Sequence, residues 1–306
     1  PNGALLVAAR RPGDWLLRVP PKGAPGWVWI EAGRVFSGHV VPSGDGHTVF
    51  TTEIDTDTGQ GLLGVRDART LEKSADWPTH GMDPHAVSRM PAGALGPGGV
   101  THPLAGMLFV ANGGIDTAQE TGRTKRHLHR MDPSVACLHP ETGALLGQWP
   151  LDDPRLSLRH LAWAHTPDGQ PLLGVALQSE HDEATARDQA PLLAILGWQG
   201  NPVGELRLAT GQPPLAGYGG DVAVVAGRNA AEAQFIVSAT RGHALAFYAL
   251  NGEYIAQVAW PDAGALSKSK SVWAGGRNGG VRPSLAAVDV APTAGFGQGR
   301  LDNHWL

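Results

Sequence analysis

Four short stretches of the chain place a histidine just ahead of an aliphatic or aromatic pair. They are Gly38-His39-Val40-Val41, Pro84-His85-Ala86-Val87, Arg159-His160-Leu161-Ala162 and Asn303-His304-Trp305-Leu306. Imidazole is the commonest metal-ligating side chain, and as a borderline donor it suits copper, iron, zinc and nickel. A single histidine on a strand is ordinarily a hydrogen-bonded core residue. Four in one register of a repeated unit point instead to a shared metal site, provided the fold gathers residues so far apart in sequence.

The repeat supplies such a fold. With 42 Gly, 24 Pro and only 17% charged residues, the chain reads as many short strands joined by tight turns. The segment 38–79 sets the pattern, with strands A at 39–41, B at 48–53, C at 61–67 and D at 71–77, punctuated by Ser43-Gly44-Asp45-Gly46. It recurs over 83–150, 157–208 and 219–261, and more weakly over 265–300. Residues 4–33 supply strands B, C and D of a unit without an A strand, while 303–306 read as an A strand without a successor. The two ends complete one another, as in a ring that leaves no open sheet edge. The expected fold is therefore an all-β, single-domain β-propeller of six blades, its ring closed by the C-terminal strand joining the N-terminal blade. A seventh blade is possible if the segment 93–131 holds one.

In a propeller the innermost strand of each blade lines the central channel. Aligning the A strands puts His304, His39, His85, His160, Asp221 and Leu266 or Ser267 at equivalent positions. His80, in the expected loop from Thr79 to Asp83, is a further metal-ligand candidate. Near the ends of the B strands stand Glu53, Asn112, Gln178 and Arg241, which with Asp221 are candidates for an extra ligand or for partners that orient the imidazoles. Cys137, among Val135, Ala136 and Leu138, reads as a buried, inert thiol. His47, His102, His165, His181 and His243 read as solvated turn residues, and the basic run 122–131 as a solvated insertion.

Several classes are not expected. The net charge of −4 with no basic face argues against nucleic acid as a partner. No apolar run reaches the length of a membrane span, and one cysteine allows no internal disulfide. There is no phosphate-cradling glycine loop, no Gly-x-Ser-x-Gly elbow and no Cys-x-x-Cys pair. The stretch Gly275-Gly276-Arg277-Asn278-Gly279-Gly280 reads as a hairpin. The opening Pro1-Asn2-Gly3 reads as a processed product, and Arg10-Arg11 follows an apolar stretch where an export signal would precede one.

These residues resemble the DUF1513 proteins of Gram-negative bacteria. The likeness is carried by Thr52-Glu53 with 61–67, His80-Gly81-Met82-Asp83-Pro84-His85, Ala111-Asn112-Gly113-Gly114-Ile115, Ser157-Leu158-Arg159-His160-Leu161, Thr240-Arg241-Gly242 and Asp302-Asn303-His304. The chain departs from the pattern at Ile54, where Asn is expected, and at Asp221, where a small residue is expected. The resemblance implies a propeller-like fold, export by the twin-arginine route to the periplasm, and loci shared with imelysin-like and di-haem peroxidase-like proteins of iron acquisition. It assigns no reaction.

The expected function is a periplasmic transition-metal-binding protein, holding copper or iron through His39, His85, His160 and His304 with His80 and Glu53 as additional contacts. The same cluster with an open coordination position would serve a metal-dependent oxidoreductase or hydrolase, with Glu53 or His80 as the base. A non-catalytic interaction scaffold is the third expectation.

Overall fold

Short antiparallel strands joined in chain order build the protein. Its structure, a computed structural model, describes residues 3–10, 12–117, 124–227, 229, 232–267, 272–277 and 279–281. The first sheet has three strands, β1 (Leu5–Ala8), β2 (Trp15–Val19) and β3 (Gly26–Trp29). The second has four, β4 (Arg34–Pro42), β5 (Thr48–Asp55), β6 (Gln60–Asp67) and β7 (Lys73–Met82). The third starts with β8 (Pro84–Arg89) and β9 (Leu108–Asn112), passes through a two-stranded ribbon of β10 (Asp116–Thr117) and β11 (Lys125–Arg126), and ends with β12 (Ser134–Leu138) and β13 (Leu145–Pro150).

The fourth sheet comprises β14 (Leu156–His165), β15 (Pro171–Ser179), β16 (Leu193–Gly197) and β17 (Glu205–Leu208), with a short helix α1 (Ala184–Gln189) before β16. The fifth comprises β18 (Gly219–Val225), β19 (Gln234–Ala239), β20 (Ala244–Ala249) and β21 (Tyr254–Ala259). A last hairpin pairs β22 (Ala274–Gly276) with β23 (Gly279–Val281), and Leu266 bridges to Ala274. The glycine-rich stretch is thus a hairpin, as the sequence reads. The segment 93–131 holds no further four-stranded sheet among the described residues.

Burial explains why these strands stack as sheets. The two middle strands of each four-stranded sheet are buried along nearly their whole length, whereas the last strands, β7, β13 and β21, alternate between exposed and half-buried residues. A strand covered on both faces carries a continuous apolar run; one facing water on one side alternates. Phe235, Val237, Ala244 and Ala246 of the fifth sheet pack with Ala162, Leu172, Ala176 and Leu193 of the fourth. Phe50, Leu63 and Val65 of the second sheet pack in the same way with Val87, Leu108, Val110 and Leu138 of the third.

Turn chemistry fixes the registers. Asp55 Oδ1 accepts the N–H groups of Asp57 and Thr58, and Asp67 Oδ1 those of Arg69 and Thr70, so each aspartate closes its own hairpin. Gly252 follows Asn251 at φ +92°, a conformation costly for a residue with a Cβ.

Contacts divide the chain into two units, Pro1–Met90 with Gly106–Leu158, and Pro91–Ala105 with Arg159–Leu306. The division falls inside the continuous strand β14.

Two expectations about single residues have clear outcomes. Cys137 on β12 is fully buried, and burial pushes its thiol up to about 12. Iodoacetamide in mildly alkaline buffer should therefore leave the folded protein unlabelled and react only on unfolding, because the thiolate is the nucleophile. Labelling of native protein at the rate of a free thiol would contradict that burial. His102 is a correction: it is not a solvated turn residue but 6% exposed. Its ring packs edge-on against Trp198 at 4.9 Å, its Nδ1 accepts the Leu104 N–H, and burial lowers its pKa.

Candidate metal centre

Bulges aim the candidate side chains. Where β4 pairs with β5 the register slips between Phe36 and Val40, and Gly38 inside the slip has φ +103°. His39 sits in that irregularity, and its backbone N–H, lost to the ladder, donates to Thr52 Oγ1 at 3.3 Å. Where β8 pairs with β9 the register slips between Pro84 and Ala86, which isolates His85. The slip recurs between Gly219 and Val222, around Asp221. An extra residue in one strand bends it and re-aims a side chain, and such bulges are common beside functional sites. The same device recurs in three first strands, around His39, His85 and Asp221.

His39 and His85, both half-buried, have ring centroids 5.3 Å apart with planes inclined at 54°. β14 begins among the residues of the first unit, where a Cβ on Gly113 would meet Ser157 Oγ at 2.8 Å. Three residues further along this strand is His160, 3% exposed. His39 and His85 both belong to the first unit, and His160 to the second. Two nitrogens on one tetrahedral ion at ~2.1 Å stand about 3.4 Å apart, a spacing within reach of the neighbouring His39 and His85 rings after small side-chain rotations. His160 Nδ1 also faces Asp221 Oδ1 at 3.3 Å.

A protein-family model headed "Protein of unknown function (DUF1513)" matches residues 1–306. The chain belongs to the DUF1513 family. No curated protein matches it by sequence. Among solved structures, a catalytically inactive virginiamycin B lyase from Staphylococcus aureus with Quinupristin is 10% identical, with 94% of this chain and 84% of that chain covered at a TM-score of 0.55. The Dos1 propeller is 11% identical, with 90% of this chain and 66% of that chain covered at a TM-score of 0.50. At these identities the likeness concerns the fold alone. Together with the serial antiparallel sheets it makes this DUF1513 protein a β-propeller.

The other residues singled out from the DUF1513 sequence fall in different places. His304, with the whole segment 303–306 expected to close the ring, lies outside the described residues. His80 is exposed on β7, which extends to Met82 where a loop was expected, and its backbone carbonyl accepts Gln148 Nε2 at 2.8 Å.

Glu53 is tied into the second sheet by charge. A Cβ on Gly64 of the neighbouring strand would collide with the Glu53 carboxylate, so the glycine leaves room for it, and the Arg66 guanidinium meets it there. Glu53 Oε1 accepts from Arg66 Nη2 at 2.9 Å and from Thr51 Oγ1 at 2.6 Å, while Oε2 pairs with Lys73 Nζ at 3.1 Å. Both oxygens are engaged in a buried charge network within the second sheet. Lys73 is also drawn to Glu31 and Asp76; its burial opposes the charged form, but these carboxylates raise its pKa overall.

Asn112 is fully buried at the end of β9, and its Nδ2 donates to the Thr79 carbonyl at 2.8 Å. A Cβ on Gly81 would collide with that side chain at 2.7 Å, so Asn112 ties the end of β7 to β9. Gln178, bridged to Tyr218, donates from Nε2 to Glu180 Oε1 at 2.6 Å. Arg241 lies over the Tyr218 ring at 4.7 Å. Sequence reasoning missed the Arg66–Glu53–Lys73 network. Its signal was there: Thr51 and Glu53 share one strand face, with Gly64 and Arg66 at the matching alternate positions on the next strand. No helix of the described residues is long and apolar enough to cross a membrane.

Proposed function

We propose that this β-propeller binds one transition-metal ion, copper or iron, through His39, His85 and His160. The observation that carries the reading is the His39–His85 pair, with ring centroids 5.3 Å apart and each residue set at a slip in its ladder. Rigid strands hold ligand geometry better than loops do, and neutral imidazoles without hard oxygen donors favour copper slightly on softness. The wider role is that of a periplasmic accessory to iron or copper acquisition, alongside imelysin-like and di-haem peroxidase-like proteins. The family resemblance supports this wider role. It also pulls toward iron.

A second reading is favoured by the number of ligands. A site in which protein nitrogens fill all but one position of a tetrahedral ion has the arrangement of catalytic rather than structural sites. A metal-dependent oxidoreductase or hydrolase would use the open position for water or substrate. A protein-interaction scaffold without metal is the remaining possibility.

Titration of the metal-free protein with Cu(I), Cu(II), Fe(II) and Zn(II), read by competition with chromophoric chelators, tests the proposal. The expected result is saturation at about one equivalent of one of these ions. Added azide that shifts the spectrum of the loaded protein would favour the open-position reading, and an unmoved spectrum a closed shell. Failure to retain any of the four ions in competition with a weak chelator would overturn metal binding and leave the scaffold.

A further inference from the structure

Asp221 holds a place in the repeat that histidine fills in earlier sheets, and its carboxylate is unusually well fixed. The side chains of Asp221 and His160 are 2% and 4% exposed, with His160 Nδ1 at 3.3 Å from Asp221 Oδ1. Oδ1 also accepts the Val222 N–H at 2.8 Å, and Oδ2 accepts the Leu266 N–H at 2.9 Å. Backbone N–H groups can only donate, so these two contacts demand an acceptor at each oxygen. The carboxylate cannot rotate to offer anything else. The imidazole nitrogen facing it is then stable only as a donor.

We propose that Asp221 is a positioning residue that holds His160 in the Nδ1–H tautomer and so dedicates its Nε2 lone pair to ligand binding. The proposal rests on the metal reading above and deepens it. Outer carboxylates of this kind fix the tautomer and ring orientation of a metal-ligating histidine and raise its basicity.

An Asp221→Asn variant would meet a conflict. One amide oxygen cannot replace both acceptors. If it turns to Leu266, the amide N–H₂ faces His160 Nδ1 and drives the proton to Nε2, which is the wrong tautomer for the site. If it turns to His160, the Leu266 N–H loses its acceptor, which costs a buried hydrogen bond.

The test is long-range ¹H–¹⁵N correlation NMR of the histidine rings in the metal-free protein, followed by metal titration. Wild type is expected to show His160 protonated at Nδ1. Asp221→Asn is expected to move that proton to Nε2 and weaken metal binding about 10–100-fold, with the His39 and His85 resonances unchanged. A wild-type His160 protonated at Nε2 would overturn the assignment. So would a folded variant with unchanged tautomer and affinity. Should the variant not fold, the wild-type spectrum alone decides. A wild type that binds no metal but keeps an Nδ1–H tautomer would overturn the metal reading while leaving the Asp221–His160 assignment standing.

Discussion

Glu53→Gln should destabilise the protein by about 3–5 kcal/mol, the usual consequence of removing one member of a buried ion pair. The Arg66 side chain is 0% exposed, and its Nη2 and Nε lie 2.9 and 3.3 Å from the same carboxylate oxygen. Its guanidinium also rests over the Phe36 ring at 5.2 Å, so water cannot replace the lost charge from that side. A neutral amide leaves the guanidinium and the mostly buried Lys73 ammonium with only the more exposed Glu31 as a shared counter-charge. Urea unfolding of wild type and variant gives the measurement. A loss below about 1 kcal/mol would mean the network is solvent-screened like an ordinary surface pair. Metal stoichiometry is expected to stay unchanged in the folded variant, because both carboxylate oxygens are already occupied within the sheet. Loss of metal without loss of stability would restore Glu53 as a ligand.

Replacing His85 and His160 together by alanine should remove metal binding altogether, reducing about one equivalent to none, since a lone imidazole cannot compete with even a weak chelator. His160 is nearly buried, so its truncation leaves a small cavity and costs some stability. The half-buried His85→Gln variant controls for this, because it keeps side-chain volume while removing the imidazole. It is expected to melt near wild type and bind metal at least tenfold more weakly. Retention of wild-type affinity in both variants would place the ion elsewhere in the chain.

Turn positions and the serial order of the second to fifth sheets were legible in the amino-acid sequence. The reason is local: an aspartate that caps its own hairpin, a glycine at positive φ, and a buried apolar run bounded by both need no distant partner to be recognised. The A, B, C and D strands of the second to fifth sheets accordingly fall within a few residues of their expected places, apart from longer first strands and β7 running on to Met82. His39, His85 and Asp221 each fall at a slip in the ladder of a first strand. Tertiary structure decided what those positions do. Bulges invisible to composition turned His39 and His85 toward one another, and Asp221 became a partner of His160 through the amide of Leu266, 45 residues away. Charge and aromatic partners reached Glu53 and His102 across sheets and loops. Periodicity reports which face a side chain occupies; only packing determines which neighbour waits there.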